Sequence, residues 1–212
     1  MGMSFDRIAR HYERIESMVF GKDLQRIRCS HMKTFLGAES ILLLGDGDGR
    51  FLKALLDSGC SAKIICVDSS QRMLNLAESL TKNSRQDVRF INSKIEDYDL
   101  PGSFIPDVIG AHFFLDCFSD DEIPVILGRI FGWCKEDTKL VISDFSIPKT
   151  NGLRKFIAKL VVWKMIVFFR IFSGISACKL PKIGQLLSEM DYRCLKKETL
   201  RNGFICSWVW QL

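Results

Sequence analysis

A short apolar run followed directly by three closely spaced glycines constrains this chain more than any other segment. Residues 41–50 read Ile-Leu-Leu-Leu-Gly-Asp-Gly-Asp-Gly-Arg, and an amphipathic run begins at Phe51. The apolar residues predict a buried strand, and the glycines let the backbone turn tightly with no Cβ to block a ligand. The segment therefore predicts a nucleotide-like ligand at the first strand–helix turn, with a tight turn that binds nothing as the alternative.

Strand-like and helix-like segments alternate along much of the chain. The strand-like segments lie at residues 41–44, 63–67, 88–92, 107–111 and 139–144, and the helical ones at 50–58, 71–82 and about 120–134. This alternation is typical of an α/β fold in which a parallel sheet has helices on both faces. Two helical segments precede the first strand, in residues 1–38.

The carboxyl-terminal segment departs from this alternation. Two strand-like runs, 192–200 and 204–211, meet at Asn202 and Gly203, a pair that favours a hairpin turn. We therefore expect one domain over residues 1–212, with a seven-stranded, mostly parallel sheet that ends in an antiparallel hairpin.

The second strand-like segment ends on a carboxylate. Asp68 lies 23 positions after Gly45, near the offset of about 20 residues at which an acidic side chain binds a ribose. Ser69 or Ser70 then caps a helix that carries Met73. Asp68 is predicted to hold a ribose, although a simple cap at Asp68 and a purely structural Met73 remain alternatives.

Composition excludes several classes of site. Eight cysteines lie singly with no Cys-x-x-Cys pair, and the three histidines are widely spaced. This pattern predicts reduced cysteines and no metal site. No basic-then-apolar leader pattern follows Met1, so we expect a cytoplasmic protein. The positive charge is concentrated in residues 149–201, with twelve Lys or Arg against three acidic residues.

Several segments together resemble the class I S-adenosylmethionine (SAM) methyltransferases. A dinucleotide site would need a third glycine where Arg50 stands, whereas the observed G-x-G-x-G and residues 67–74 resemble that family's first two motifs. Residues 4–9 with Tyr12, and residues 143–148, are similar to its ubiquinone/menaquinone-biosynthesis (UbiE-like) branch.

The resemblance implies a Rossmann-like three-layer αβα sandwich with the strand order 3-2-1-4-5-7-6. It also implies SAM as the cofactor, S-adenosylhomocysteine (SAH) as the product, and a small hydrophobic acceptor. Residues 1–38 would form a helical lid over the cofactor, with Tyr12 facing it. Packing of Tyr12 on the sheet is the alternative.

The cofactor-binding residues implied by this resemblance cluster after the first, second, third and fourth strands. They are Tyr12, Gly45, Asp46, Gly47, Gly49, Asp68, Ser69, Met73, Ile95 and Ala111. Two positions depart from the family pattern, since Leu43 and Lys94 stand where acidic residues are usual. Asp46 is a candidate substitute for the first, and the backbone N–H of Ile95 is a candidate adenine contact at the second.

Candidate catalytic residues follow the fourth strand, where ligands of open α/β sheets bind. His112 is predicted to act as a base near neutral pH, with Asp116 orienting it or acting itself. The alternatives are a structural histidine and an aspartate that caps a helix. Phe113, Phe114 and Phe118 are expected to wall an apolar pocket or to pack in the core.

A long apolar and basic segment, within an insertion at residues 150–185, follows the fifth strand. Lys164 and Arg170 interrupt it, so no apolar run reaches the roughly 20 residues that a bilayer span requires. One interpretation is a buried helix. The other is a cover on the substrate side that admits lipid-like molecules and contacts an anionic membrane surface, as a peripheral protein, or an acidic carrier protein.

We therefore predict SAM-dependent methyl transfer to carbon or oxygen of a small hydrophobic acceptor, such as a quinone-like or polyketide-like ring. One alternative is an O- or N-methyltransferase acting on a carrier-bound or polar metabolite. Another is a non-catalytic SAM-binding scaffold protein, which Leu43 and Lys94 favour. Nucleic acid is not an expected partner because the basic region is interleaved with bulky aliphatic residues. The sequence leaves the oligomeric state open.

Overall fold

A seven-stranded sheet forms the centre of the structure, a computed structural model that describes residues 5–84, 86–148 and 152–212. Its strands are β1 (Ser40–Leu44), β2 (Lys63–Asp68), β3 (Val88–Asn92), β4 (Val108–His112), β5 (Lys139–Phe145), β6 (Arg193–Leu200) and β7 (Ile205–Gln211). They are ordered β3-β2-β1-β4-β5-β7-β6. The first five strands pair in parallel, and β7 runs antiparallel to both β5 and β6. This confirms the predicted fold class and the strand order that the resemblance implied.

Eight α-helices accompany the sheet in the described residues. They are α1 (Tyr12–Phe20), α2 (Asp23–Arg28), α3 (Met32–Leu36), α4 (Arg50–Asp57), α5 (Gln71–Thr81), α6 (Ile123–Gly132), α7 (Leu153–Ser173) and α8 (Ile183–Glu189). The bounds of α4 and α5 agree with the prediction within one residue. Helix α6 begins at Ile123, after a turn in which the backbone N–H and the hydroxyl of Ser119 both donate to Glu122.

The amino-terminal helices differ from the prediction of two. The first begins at Tyr12 after a short 3-10 turn, and residues 1–4, with Ser4 at the expected start of the helix, lie outside the described chain. The second is divided into α2 and α3 by a 3-10 turn at Cys29–His31. The hydroxyl of Ser30 donates to the carbonyl of Ile27 there, and such bonds compete with helical ones.

The predicted hairpin is present, but its turn is longer than two residues. Leu200 pairs with Ile205, and the 3-10 turn Arg201–Gly203 with Phe204 joins the strands. Arg201, Asn202 and Gly203 all have positive φ, a conformation that asparagine and glycine adopt at low cost.

Hydrophobic clusters cover both faces of the sheet, as alternation along a strand requires. Leu42 and Leu44 of β1 pack on one side, together with α6, whereas Ile41 and Leu43 pack on the other with α4. Because β1 to β5 run parallel, their carboxyl ends lie at one common edge of the sheet, where the loops after β1, β2, β4 and β5 meet. Amino-terminal helices α1 and α2 and the long helix α7 lie beside this edge, joined in a third apolar cluster.

Helix α7 is buried on one face only, so the expectation of a wholly buried helix is wrong. Ala158, Val162 and Ile166 are buried against the body of the protein. Phe156 and Trp163 are exposed on the other face. Across residues 5–84, 86–148 and 152–212, the structure contains no helix long and apolar enough to cross a membrane.

Candidate active site

A cleft of about 700 Å³, here called the glycine-loop cleft, lies at the carboxyl ends of β1, β2 and β4. Predicted site residues form much of its wall: Tyr12, Gly45, Asp46, Gly47, Asp68, Ser69, Met73, Ile95 and His112. Gly49 and Ala111 are not among the residues that line it. The structure thus brings together nearly all the residues that the resemblance implied for the cofactor.

The three glycines of the loop have different tasks, although all have positive φ. A Cβ on Gly45 would lie 2.4 Å from the ring of Phe114, and one on Gly49 would lie 2.5 Å from Cβ of Ala77 in α5. A Cβ on Gly47 would meet no atom within 4 Å. Gly49 therefore serves helix packing, while the open space over Gly47 is where a ligand can approach the backbone.

Asp68, at the end of β2, contacts the glycine loop through its carboxylate. Its carboxylate accepts hydrogen bonds from the backbone N–H of Gly47 at 3.2 Å and of Ser70 at 2.8 Å. Burial raises its pKa to about 6, although these two hydrogen bonds act in the opposite direction. The helix cap is Ser70, whose hydroxyl oxygen accepts from the N–H of Met73, so Ser69 is left to line the cleft.

Asp46 lies inside the turn, and its carboxylate accepts a 3.3 Å hydrogen bond from the N–H of Leu52 at the start of α4. Burial raises its pKa to about 7, and the nearby charge of Arg28 lowers it. Leu43, where the family pattern has an acidic residue, points into the core on the far side of the sheet. Asp46 is thus the carboxyl group that the loop itself presents to the cleft. Lys94 lines the cleft, as expected.

A second, larger cavity of about 1450 Å³, here called the apolar cavity, adjoins the cleft. It is walled by α1, α2 and α7 and by the loops after β4 and β5. Phe5, Tyr12, Phe113 and Cys117 line both spaces. Its polar side chains include Glu16, Asp116 and Lys164. A mainly apolar space with few polar groups is typical of a small-molecule site.

Asp116 faces the apolar cavity beside a second carboxyl group, Asp144 at the end of β5. Asp144 is 3% exposed; its Oδ1 accepts from the N–H of Phe145 at 2.8 Å, and its side chain is hydrogen-bonded to that of Asp116. Burial and the neighbouring Asp116 raise the pKa of Asp144 well above its usual range. Burial raises that of Asp116 to about 6. Two adjacent buried carboxyl groups resist ionising together, so the proton is retained longest by Asp144, whose pKa is raised further than that of Asp116.

His112 has different surroundings from those expected of a base. Its ring packs 4.4 Å from that of Phe51 and 5.9 Å from that of Phe35, and it does not line the apolar cavity. Nδ1 lies 2.8 Å from the hydroxyl of Ser143. Burial, with the charges of Arg28 and His31, lowers its pKa to about 3. Because a neutral, enclosed imidazole is a poor proton acceptor near pH 7, the geometry favours the structural alternative for His112.

A buried ion pair between Arg28 of α2 and Glu16 of α1 separates the two spaces. The guanidinium donates two hydrogen bonds of 2.8 Å to the two carboxylate oxygens of Glu16. Arg28 lines the glycine-loop cleft and Glu16 lines the apolar cavity. Although burial acts against it, contact with Arg28 and Arg50 lowers the pKa of Glu16. Sequence patterns do not reveal this pair, because a contact between two helices leaves no spacing signal.

Phe113, directly after β4, forms part of the same partition. It has a positive φ of 53°, which is costly for a bulky residue. The guanidinium of Arg28 lies 5.1 Å from its ring centroid. The backbone N–H of Phe113 donates to the carbonyl of Ser143. Strained residues of this kind are concentrated at functional sites, and here the strain holds an aromatic ring between the two spaces.

Comparison with known proteins gives a domain and a fold. Residues 41–137 match the model of a family described as a methyltransferase domain. The chain is 26% identical over 140 residues to the carboxy-S-adenosyl-L-methionine synthase of Nautilia profundicola. That match covers 66% of this chain and 58% of the relative, so the chain spans little more than half of the curated relative's length.

Solved structures of methyltransferases superpose on almost the whole chain. The mitomycin 7-O-methyltransferase has a TM-score of 0.70 and 17% identity, over 99% of this chain and 61% of that one. The plantazolicin methyltransferase, solved with SAH, has a TM-score of 0.66 and 15% identity, over 98% of this chain and 95% of that one. The chain therefore has the fold of these methyltransferases, and residues 41–137 within it match a methyltransferase domain.

Proposed function

We propose that this chain is a class I SAM-dependent methyltransferase and that it methylates a small hydrophobic acceptor that carries an acidic proton. The observation that carries the proposal is the shared wall between two unlike spaces, a polar glycine-loop cleft and an apolar cavity with Asp116 in it. SAM belongs in the cleft and the acceptor in the cavity.

The residues of the cleft fit SAM. Asp68 at the end of β2 offers a carboxylate for the ribose hydroxyls, and the open space over Gly47 lets a ligand lie against the loop. Asp46 offers a negative charge for the methionine ammonium in place of the missing acidic residue at Leu43. Arg28 offers a positive charge for the methionine carboxylate.

Methyl transfer requires the protein to position two reactants and to remove one proton. When bound, SAM supplies an electrophilic methyl group on a positively charged sulfur. Asp116, ionised near neutral pH, accepts the proton from the acceptor's O–H as the oxygen bonds to the methyl carbon. With SAM held by Asp68, Asp46 and Arg28, the transfer would exchange the methyl–sulfur bond for a methyl–oxygen bond and would leave the methyl ether, SAH and the proton on Asp116.

Asp144 is a positioning residue in this scheme. Its carboxyl group retains the pair's proton and lies behind Asp116, away from the acceptor. A neutral neighbour fixes the orientation of Asp116 without adding a second negative charge to an apolar site. His112 has no part in the reaction, in contrast to the role expected from the sequence.

The walls of the cavity favour an aromatic or aliphatic ring as the acceptor. Phenylalanine side chains form much of the surface, from Phe5, Phe20, Phe113, Phe145, Phe168 and Phe169. Glu16, the other carboxylate in the wall, is already neutralised by Arg28. A quinol-like or polyketide-like phenol matches this surface because it pairs an apolar body with one acidic hydroxyl.

The test has two steps. Isothermal titration with SAM and with SAH measures occupation of the cleft, for which we expect micromolar affinities, about −8 kcal/mol. Transfer of a labelled methyl group from SAM to a panel of quinols and phenols, with polar amines as the comparison set, then measures the reaction. We expect labelling of the phenols only.

Two other results would exclude the proposal. Tight binding of SAM with no transfer to any acceptor would favour a non-catalytic SAM-binding protein, which the unusual residues Leu43 and Lys94 make the second candidate. Labelling of the amines alone would favour N-methylation of a polar metabolite.

A further inference from the structure

The outer face of α7 carries a continuous stripe of exposed apolar side chains. Each of its members exposes at least 40% of its surface, and they recur at steps of three, four and eight residues: Leu153, Phe156, Ile157, Leu160, Trp163 and Ile171. Such steps return to the same side of a helix. Surface apolar residues are ordinarily scattered, and a stripe of this length marks an interaction site.

The charges around this stripe are of one sign. Helix α7 contains no acidic residue, and its basic residues are Arg154, Lys155, Lys159, Lys164 and Arg170. Lys159 and Arg170 are three turns apart, along one border of the stripe, and Lys164 is exposed within it. Since residues 149–201 hold twelve basic against three acidic residues, the surface favours a negatively charged partner.

We propose that the outer face of α7, a helix of 21 residues, docks on the surface of an anionic lipid bilayer. The helix would lie in the plane of the interface, with its apolar stripe at the boundary of the acyl chains and its cations among the headgroups. Trp163 and Phe156 are side chains that interfacial helices use for this contact.

A second copy of the chain matches this face less well. Two α7 helices packed across a two-fold axis would place the exposed Lys159, Lys164 and Arg170 of each copy in one interface, with no acidic residue from either helix. An anionic bilayer offers both an apolar layer and negative charge, which is the combination that the stripe and its border present.

The docking surface is continuous with the apolar cavity. Lys164 and Val19 line the cavity and are themselves exposed, so the cavity opens beside the stripe. Val161, Met165 and Phe168 of the same helix form its wall. A docked α7 would thus place the opening next to the lipid. This part of the inference rests on the proposed function, because it takes the cavity as the acceptor site.

The experiment is co-sedimentation of the full chain with phosphatidylcholine vesicles, with or without phosphatidylserine, at low and high salt. We expect binding to the anionic vesicles at about 0.1 M salt and its loss near 1 M, where the Debye length falls from about 10 Å to about 3 Å. Trp163→Glu is expected to weaken binding about tenfold or more.

Matched controls come from exposed residues outside α7. Val125 of α6 is 62% exposed, close to the 60% of Trp163, so Val125→Glu adds the same charge to a similar surface and should leave binding unchanged. Lys159→Gln is expected to weaken binding about fivefold, the value of one cation near an anionic membrane. Lys63→Gln, on the exposed start of β2, should have no effect.

Fluorescence gives a second readout. Anionic vesicles should shift the emission of Trp163 to shorter wavelength, and Trp163→Phe should bind normally without that shift. Equal binding by Trp163→Glu and the parent chain would overturn the proposal. So would sedimentation equilibrium that shows a dimer dissociated by Trp163→Glu in the absence of lipid. Titration with SAM in vesicle-free buffer tests the cleft separately, so a failure of docking and a failure of the proposed function are distinguishable.

Discussion

The glycine-loop cleft and the apolar cavity share a wall, yet they are built by different parts of the fold. The cleft is formed by strand ends and their turns, where backbone N–H groups and carboxylates converge on about 700 Å³. The cavity, at about 1450 Å³, is formed chiefly by side chains of α1 and α7. A site built from turns of a sheet is rigid and suits a constant ligand, whereas a site between helices can change its acceptor by side-chain substitution.

Substitution of Asp116 gives the largest expected effect and tests whether the cavity contributes chemistry. Asp116→Asn keeps the shape of the side chain but removes the base, so we expect methyl transfer to fall by about 10²–10⁴-fold. Titration should show unchanged SAM affinity. Asp121→Asn, at an exposed position nearby, is the matched control. Activity that remains within a few-fold would mean that the cavity only positions the acceptor.

The acid limb of the pH profile tests the same carboxyl pair. With a pKa of about 6 for Asp116, kcat/KM should fall as pH drops through about 6 because the base becomes protonated. Asp144→Asn should keep most of the activity but move this limb. A profile that is unchanged in the Asp144 variant would contradict the positioning role.

Substitutions in the ion pair between Glu16 and Arg28 test how much this contact between the cleft and the cavity contributes to the stability of the fold. Arg28→Met leaves the buried Glu16 with only Arg50 as a partner, so we expect a loss of about 3–5 kcal/mol in the free energy of unfolding. Urea denaturation measures it. The double variant Arg28→Met, Glu16→Gln should recover part of the loss, since no unpaired charge then remains. Equal stabilities of the single and double variants would show that the pair is not coupled.

Two glycines of the loop provide a matched pair within the cleft. Gly49→Ala would bring a Cβ within 2.5 Å of Ala77, whereas Gly47→Ala would meet open space. Both replacements carry the backbone cost of positive φ, about 1–2 kcal/mol. Gly49→Ala should cost about 1–3 kcal/mol more, from overpacking. Gly47→Ala should weaken SAM binding instead, and thermal unfolding with titration separates the two effects.

Asp68 tests the cleft alone. Asp68→Asn removes the charge offered to the ribose and should weaken SAM affinity about tenfold or more, or about 1.4 kcal/mol. The methyl-transfer rate at saturating SAM should change little, because Asp68 does not face the apolar cavity. Unchanged affinity would mean that SAM does not occupy the position assigned to it.

The contrast between the glycine-loop cleft and the apolar cavity also explains which parts of the site could be predicted from the sequence. Strand positions, Asp68 and the glycine turn follow from local patterns, and Asp68 needs only its distance from Gly45. The cavity depends on contacts between distant segments, as with Asp144 beside Asp116, or Arg28 against Glu16. The surroundings of His112 differ from those expected of a base because alternation along β4 turns its side chain to the face of Phe35 and Phe51.

Helix α7 shows the other limit of sequence reasoning. Its composition predicted a helix correctly, but an apolar residue on every side gives no indication of which side is buried. That choice is made by the tertiary partners Phe20 and Phe145. The sequence therefore left both a buried helix and a substrate cover as interpretations, and the structure shows one buried face and one exposed face.

The smallest expected effect is the exchange of protons on binding, and it should have opposite signs in the two spaces. Asp46 has a pKa of about 7, so near that pH part of the population is protonated before the cofactor binds. The positively charged ammonium of SAM would lower this pKa and release a fraction of a proton. Titration in two buffers of different ionisation enthalpy measures the release, which Asp46→Asn should abolish.

In the apolar cavity, an analogue of the acceptor that lacks the ionisable hydroxyl would displace water from around Asp116 and raise its pKa above about 6. Binding near pH 6 should therefore take up a fraction of a proton, and Asp116→Asn should remove the uptake. Release in both spaces would contradict the assignment of an uncharged acceptor to the cavity. Opposite signs would show that charge is recognised in the cleft and apolar surface in the cavity.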